Sequence, residues 1–444
     1  MMGGWARVRA ATLHSIGPVL LIGVILGLAV AIQPKLTLAA LVGLALGGVG
    51  VVMPPALVAF MFLGMLMDRA GVTGMKLGAF PVTASKLSVL GGIGMWLVHA
   101  GIYGARPLRW HPVLTAMAGV IGTMAVCIAY ANSMAEGKFS LYGVMMMTVM
   151  VALVYASLAE ASLTALYRFL SGIFLLALLA SVRGPGSAEG GRVAGTMGDP
   201  NEWATMVLLL APFLLGGLAD DDHGVARLLR TALVALAPLA ILRSESRTAL
   251  VVGTLISPAC LYVLRRHRGE LAFCGGAALF AAPFVIDLDT ALHRFNQLVA
   301  NLQGAAVVQD QSLEERSELF RQGVQLFKDH WFIGAGPGNF STATGFVSHT
   351  GSFRPAHNTY LEIASEQGIV GLTPTIIFLW TVAASLRAAW KDATRDEDRN
   401  RIVGVAAGLG ALALMAATLG LLTFSMAYLV LGFGLAVVYQ ARRE

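Results

Sequence analysis

Arg183, Arg192, Arg243, Arg247, Arg316, Arg354 and His357 have the side chains that phosphate binding and proton transfer require. A guanidinium binds phosphate oxygens bidentately and stays charged at any physiological pH. Arg243 and Arg247 are four residues apart. A helical turn across them would put both on one face, where two guanidiniums can clamp a pyrophosphate. His357 opens the run His-Asn-Thr-Tyr-Leu-Glu-Ile-Ala-Ser-Glu-Gln-Gly, just after Arg354-Pro-Ala. A helix start beside it, and the neighbouring arginines, disfavour imidazolium. Neutral imidazole is the form a general base needs. Each residue also has a plainer reading. An arginine can snorkel to lipid headgroups or pair with Glu245, Glu315 or Glu366, and a lone histidine can be structural.

Other motifs position rather than react. Gly198-Asp-Pro-Asn201 precedes an apolar run and reads as a helix cap, with Asp199 also able to orient an arginine. Gly334-Ala-Gly-Pro-Gly-Asn-Phe340 is glycine-rich, but no strand precedes it, so a tight turn returning the chain to the membrane fits better than a nucleotide loop. Cys127, Cys260 and Cys274 lie singly in or beside apolar segments and read as small buried hydrophobes. No His/Cys/carboxylate cluster has metal-ligand spacing, so no metal and no cofactor are expected.

The elements that carry these residues belong in a bilayer. The chain is 57% hydrophobic and 13% charged, against about 25% charged for soluble domains. Its net charge of +6 sits in short loops between apolar runs rather than in a patch, so nucleic acid is not an expected partner. About fourteen candidate spans run from one centred near Ile25 to one near Leu431. A re-entrant pair over Leu36 to Met67, broken at Met53-Pro54-Pro55, would lower that to about twelve. The first run, Ile16 to Ile32, reads as an uncleaved helix. Lys/Arg bias places the loops at Arg106 and Arg109, at Arg227 and Arg230, at Arg265 to Arg268, at Arg387 to Arg401 and the tail Arg442-Arg443 inside. Only the loop with Arg69, Lys76 and Lys86 disagrees. Three segments then fall outside: Arg183 to Trp203, the turn Arg243 to Arg247, and the long stretch Asp287 to Ile369. Helical stripes run through the last, Leu292-Phe295-Val299-Leu302 and Phe320-Val324-Phe327-Trp331, the second opposite Glu315, Arg316, Arg321 and Lys328. The expected organisation is a helix bundle over 1–286, a large external helical segment over 287–369, and C-terminal spans over 370–444.

Four motifs on the external face resemble the O-antigen ligase/polymerase family. Gly198-Asp-Pro-Asn201 resembles its Pro-Asn element, and Ser244-Glu-Ser-Arg247-Thr-Ala-Leu its Ser-x-Ser-Arg turn. Arg316 with Gly334 to Phe340 resembles its external-loop signature, and His357-Asn-Thr-Tyr-Leu-Glu362, with ten residues between His357 and Gly368, its histidine motif. The likeness covers about Gly191 to Arg387. Thr248 stands where the family often has a glycine.

The resemblance implies an all-α polytopic, GT-C-like protein of about 12–14 transmembrane helices with one large periplasmic helical loop. It implies a bacterial inner-membrane enzyme whose site faces the periplasm. The reaction would be a metal-independent, inverting transfer from an undecaprenyl-pyrophosphate-linked glycan. The acceptor would be a hydroxyl of lipid A–core in a ligase, or of another lipid-linked glycan in a polymerase. By analogy His357 would take the acceptor's proton, and Arg192 and Arg247, with Arg243 and Arg316, would hold the pyrophosphate. Asp199, Asn201, Asn358 and Glu362 would support them. The basic residues Arg294, Arg316, Arg321 and Lys328 suit a bulky anionic acceptor and favour the ligase slightly. A transporter of lipid-linked glycan is the competing class, but such proteins usually keep ionisable groups at mid-membrane. Here Glu160 and Arg168 lie near span ends.

Overall fold

The computed structural model describes residues 52, 54–67, 76–77, 80–81, 84–104, 110–159, 161–183, 199–218, 224–265, 267–285, 311–345, 356–422 and 424–442. The first expected span, the first half of the re-entrant pair and the stripe Leu292 to Leu302 lie outside these residues. The described helices are α1 (Pro54–Met67), α2 (Ala84–Tyr103), α3 (Pro112–Ile128), α4 (Met134–Leu158), α5 (Leu163–Arg183), α6 (Pro200–Gly216), α7 (Gly224–Ser244), α8 (Arg247–Leu264) and α9 (Arg268–Val285). They continue with α10 (Gln311–Asp329), α11 (Phe340–Thr344), α12 (Thr359–Asp392), α13 (Asp396–Met415) and α14 (Ser425–Ala441). A two-residue antiparallel pair, β1 (Lys76–Leu77) with β2 (Phe80–Pro81), is the described extended structure.

The chain is an all-α polytopic membrane protein. Among the described residues, α4, α8 and α12 are long and apolar enough to cross a membrane. The shorter α3 and α14 are also apolar. Caps set the helix starts. Ser133 accepts from Glu136 N to open α4. His111 opens α3, its Nδ1 accepting from Val113 N at 3.2 Å, with Pro112 at the first helical position. An accepting Nδ1 is an unprotonated one. Burial, and then the charge of Arg442, hold this imidazole below its ordinary pKa.

One continuous apolar core joins the bundle. Small residues set its closest approaches, as in other membrane bundles. A Cβ at Gly404 of α13 would lie 2.5 Å from Pro212 O of α6, and one at Gly408 2.5 Å from Leu209 O. The Phe213 and Phe433 rings meet edge-on at 4.1 Å, locking α6 to α14.

Segments that Lys/Arg bias put on one side meet at one end of the bundle. Arg442 pairs with Asp392, Arg227 with Glu270, and Arg265 with Asn400. Gln440 Nε2 donates to the carbonyls of Leu158 and Ala161. The opposite end joins the α3–α4 turn, the 334–340 turn and the start of α12. Lys86, from the one discordant loop, belongs to that opposite end, 4.8 Å over the Phe139 ring near the start of α4.

Candidate functional site

His357 stands immediately before α12 on a backbone fixed from both sides. Asn358 is extended and caps the helix, its Oδ1 accepting from Leu361 N at 3.0 Å. Thr359 N–H donates to the carbonyls of Ala416 and Leu419 at 2.8 and 3.1 Å. Its Oγ1 donates to Leu419 O and accepts from Leu421 N. The helix start is therefore pinned to the α13–α14 connection. His357 itself has φ +50°, in the left-handed region. That costs a non-glycine residue about 1–3 kcal/mol and persists only where the surroundings hold it. Glu362, on the first turn of α12, has a buried Oε2 with no hydrogen-bond partner among the described residues.

Eleven residues beyond His357 the helix breaks at Gly368 (φ 59°, ψ −157°). A break strands carbonyls before it and N–H groups after it. The glycine-rich turn satisfies both sets. Ala335 N donates to Ser365 O at 3.0 Å, and Gly336 N to Glu366 O at 2.7 Å. Ile369 N donates to Trp331 O at 2.9 Å, and Val370 N to Phe332 O at 3.1 Å. The Glu366 carboxylate, buried at 1% exposure, accepts from Gly338 N and Phe340 N at 2.7 and 2.8 Å. Asn339 ties the same turn to α4 by accepting from Ser133 N at 2.7 Å. Only glycine fits: a Cβ at Gly334 (φ +81°) would lie 2.1 Å from the Glu366 backbone, and one at Gly368 2.4 Å from that of Phe332. The run from Gly334 is thus the tight turn the sequence predicts, and also a clamp on the broken helix.

The clamp residues Glu366, Asn339 and Gly368 were not read as such from sequence. Glu366 entered only as a possible arginine partner, whereas both its oxygens take backbone N–H groups. The available signal was three glycines within five residues facing a fourth inside a helical motif.

The arginine turn differs from a continuous helix. α7 ends at Ser244, Glu245 is left-handed at φ +52°, and α8 starts at Arg247. Arg243 and Arg247 therefore do not share a helix face; they flank a break. Arg243 sits in the last turn of α7, where a cation suits the helix dipole. Ser244 Oγ donates to Ile241 O and accepts from Ser246 N, which shapes the turn. Thr248 lies inside α8, so this backbone needs no glycine there. The left-handed position falls on Glu245 instead.

Three further contacts bring these elements to His357's end of the bundle. Arg265, just past the C-terminus of α8, meets Asn400 in the first turns of α13. The two helices pack antiparallel, so Arg247 lies toward Ala416, the residue that Thr359 bonds. Gly216 at the end of α6 packs on Arg401 of α13, so Asp199 and Asn201 lie toward the same end. Asp199 is spent on capping α6, its Oδ1 accepting from Asn201 N and Glu202 N at 2.7 and 3.1 Å. Arg316 is half-buried on α10, whose Gly323 packs against Leu361 of α12. Arg192, Arg294 and Arg354 lie outside the described residues, as does the side chain of Arg183.

The external helix buries a different face from the predicted stripe. Leu319, Gly323 and Leu326 pack inward, with Ala335, Phe340 and Ala356. Phe320 and Trp331 are more than half exposed, at 54% and 56%. Arg321 is held by Glu318 through two bonds of 2.9 and 2.6 Å, which leaves less of its charge for a ligand. That pairing lowers the Glu318 carboxyl to about 2.

Residues 232–376 match the family described as O-antigen ligase. The likeness to the O-antigen ligase family is carried by this segment, about a third of the chain. The match spans the α7–α8 turn, α10, the glycine clamp, His357 and the break in α12. The match supports a membrane glycosyltransferase-like activity of the O-antigen ligase type. No curated protein matches the chain.

Proposed function

We propose that the protein transfers an undecaprenyl-pyrophosphate-linked glycan onto an acceptor hydroxyl at the periplasmic face of the bacterial inner membrane, most specifically joining O-antigen to lipid A–core. The observation that carries this is that His357, Arg247, Arg316 and the Asp199–Asn201 cap lie toward one end of the bundle, the first three within the segment that matches the O-antigen ligase family.

In this reaction the acceptor O–H gives its proton to the His357 imidazole. The oxygen attacks the anomeric carbon from the face opposite the leaving group. The bond from that carbon to the phosphate oxygen breaks, and the configuration inverts. Undecaprenyl pyrophosphate departs with its new charge held by Arg247 and Arg192, with Arg243 and Arg316 nearby. Asn358 caps the start of α12 beside the base, Glu362 stands in the first turn of that helix, and Asp199 caps α6 through Asn201 N and Glu202 N.

The test is His357→Ala in the native host. Transfer of polymer to lipid A–core should be abolished, and long undecaprenyl-linked chains should accumulate, while the protein is still inserted at normal level. Near-normal product would remove His357 from the catalytic role. Accumulation of single repeat units, with core transfer intact, would make the enzyme a polymerase.

A further inference from the structure

A large cavity in the described structure lies away from the arginine turn, between α12 and the helices α13 and α14, with α3 and α4 also contributing to its wall. Its volume is about 690 Å³, within the usual range for a ligand site. Its walls are apolar, including Phe378 and Val382 of α12, Ala406 and Leu409 of α13, and Leu431 of α14. Its lining on α12 runs from Tyr360 to Arg387. At about 1.5 Å per residue that is roughly 40 Å, the thickness of a bilayer with its headgroup layers. The cavity therefore runs along most of α12, with different chemistry at its two ends.

At the His357 end its polar groups are spent within the protein: Thr359 on Leu419 and Leu421, and Tyr360 on Ala413. At the far end Arg387 lines the mouth beside Trp390. Arg387 makes no ion pair or hydrogen bond among the described residues. The Arg399 guanidinium stands over the Trp390 ring at 5.9 Å, but it pairs with Asp396 and donates to Ala393 O, so Arg387 is the cation the mouth offers. An apolar trough with an interfacial tryptophan and the Arg387 guanidinium at one end matches a lipid with an acyl tail and an anionic head. The charge lies at the end opposite the proposed pyrophosphate site, so the matching lipid comes from the other leaflet.

We infer that the cleft between α12 and α13–α14 binds an anionic phospholipid of the bilayer, its phosphate on Arg387 and its acyl chain in the trough. The choice of leaflet rests on the transferase reading; the lipid site itself does not. It is tested on the full chain in detergent, by titrating phosphatidylglycerol and phosphatidylcholine and reading bound lipid by native mass spectrometry. Phosphatidylglycerol should bind roughly fivefold more tightly than phosphatidylcholine, the effect of one interfacial arginine on a net anionic headgroup, because the choline cation of phosphatidylcholine offsets its own phosphate. Arg387→Gln, at an exposed position, should erase that preference. Ala406→Phe, which fills the trough, should weaken both lipids. Equal binding of the two lipids by the unmodified protein would overturn the inference, as would a preference that survives Arg387→Gln or binding unaffected by Ala406→Phe. Displacement of bound phosphatidylglycerol by an added polyprenyl diphosphate would also overturn it, and would assign the trough to the donor's tail.

Discussion

At the residue scale the proposed chemistry rests on charge and on one base. Arg247 begins α8, where the helix dipole opposes a cation, so its position there is not explained by local helix stability. If it holds the pyrophosphate, Arg247→Ala should lower the transfer rate roughly tenfold or more, the value of a charge-assisted hydrogen bond of about 1.5–3 kcal/mol. Arg247→Lys should restore only part, since the bidentate geometry is lost. Steady-state kinetics on the purified enzyme check this, and an alanine variant with unchanged rate would contradict the assignment. Side-chain types were legible in the sequence: arginines and a histidine stand out in an apolar chain. Backbone state was not. The spacing of Arg243 and Arg247 suits a helical face, but the turn bends through Glu245, a residue with no special tolerance for φ +52°. His357 is left-handed in the same way, and no residue type announces it.

At the element scale the broken helix α12 is what aims the histidine. Its break costs four backbone hydrogen bonds, and the glycine turn restores four from residues 331–336. Gly368→Ala would place a Cβ 2.4 Å from the Phe332 backbone at a left-handed position. Gly345 is also left-handed, at φ +63°, but a Cβ there meets nothing within 4 Å. Gly345→Ala should therefore cost only the backbone strain of about 1–3 kcal/mol. Gly368→Ala should lower the thermal midpoint further and reduce transfer strongly. Comparison of the two variants by thermal denaturation and transfer assay checks this, and equal effects would argue against the clamp. Caps and apolar runs made the helix starts legible, as at Asp199. The buried face of α10 was not. Phe320 and Trp331 are large and apolar, yet the smaller Leu319, Gly323 and Leu326 face the protein. Helical spacing alone does not distinguish two apolar stripes one residue apart when one faces the protein and the other the surroundings.

At the scale of the whole molecule, hydropathy and Lys/Arg bias made the bundle legible, because length and charge are the terms a bilayer selects. Loop ends assigned to one side do meet in space, as Arg442 and Asp392 do. Hydropathy gives no sign of which helices stand apart, so the trough beside α12 emerges only in three dimensions. Among the described residues, the candidate base His357 and the arginines Arg247 and Arg316 lie toward one end of the bundle. That is the arrangement of an enzyme acting at a membrane surface rather than of a coupled transporter. Purified protein in sealed vesicles with lipid-linked glycan donor and lipid A–core acceptor tests this most directly. With no energy source supplied, the account predicts glycan covalently joined to acceptor, and none joined by the His357→Ala protein. Donor carried across the bilayer without any joined product would contradict it.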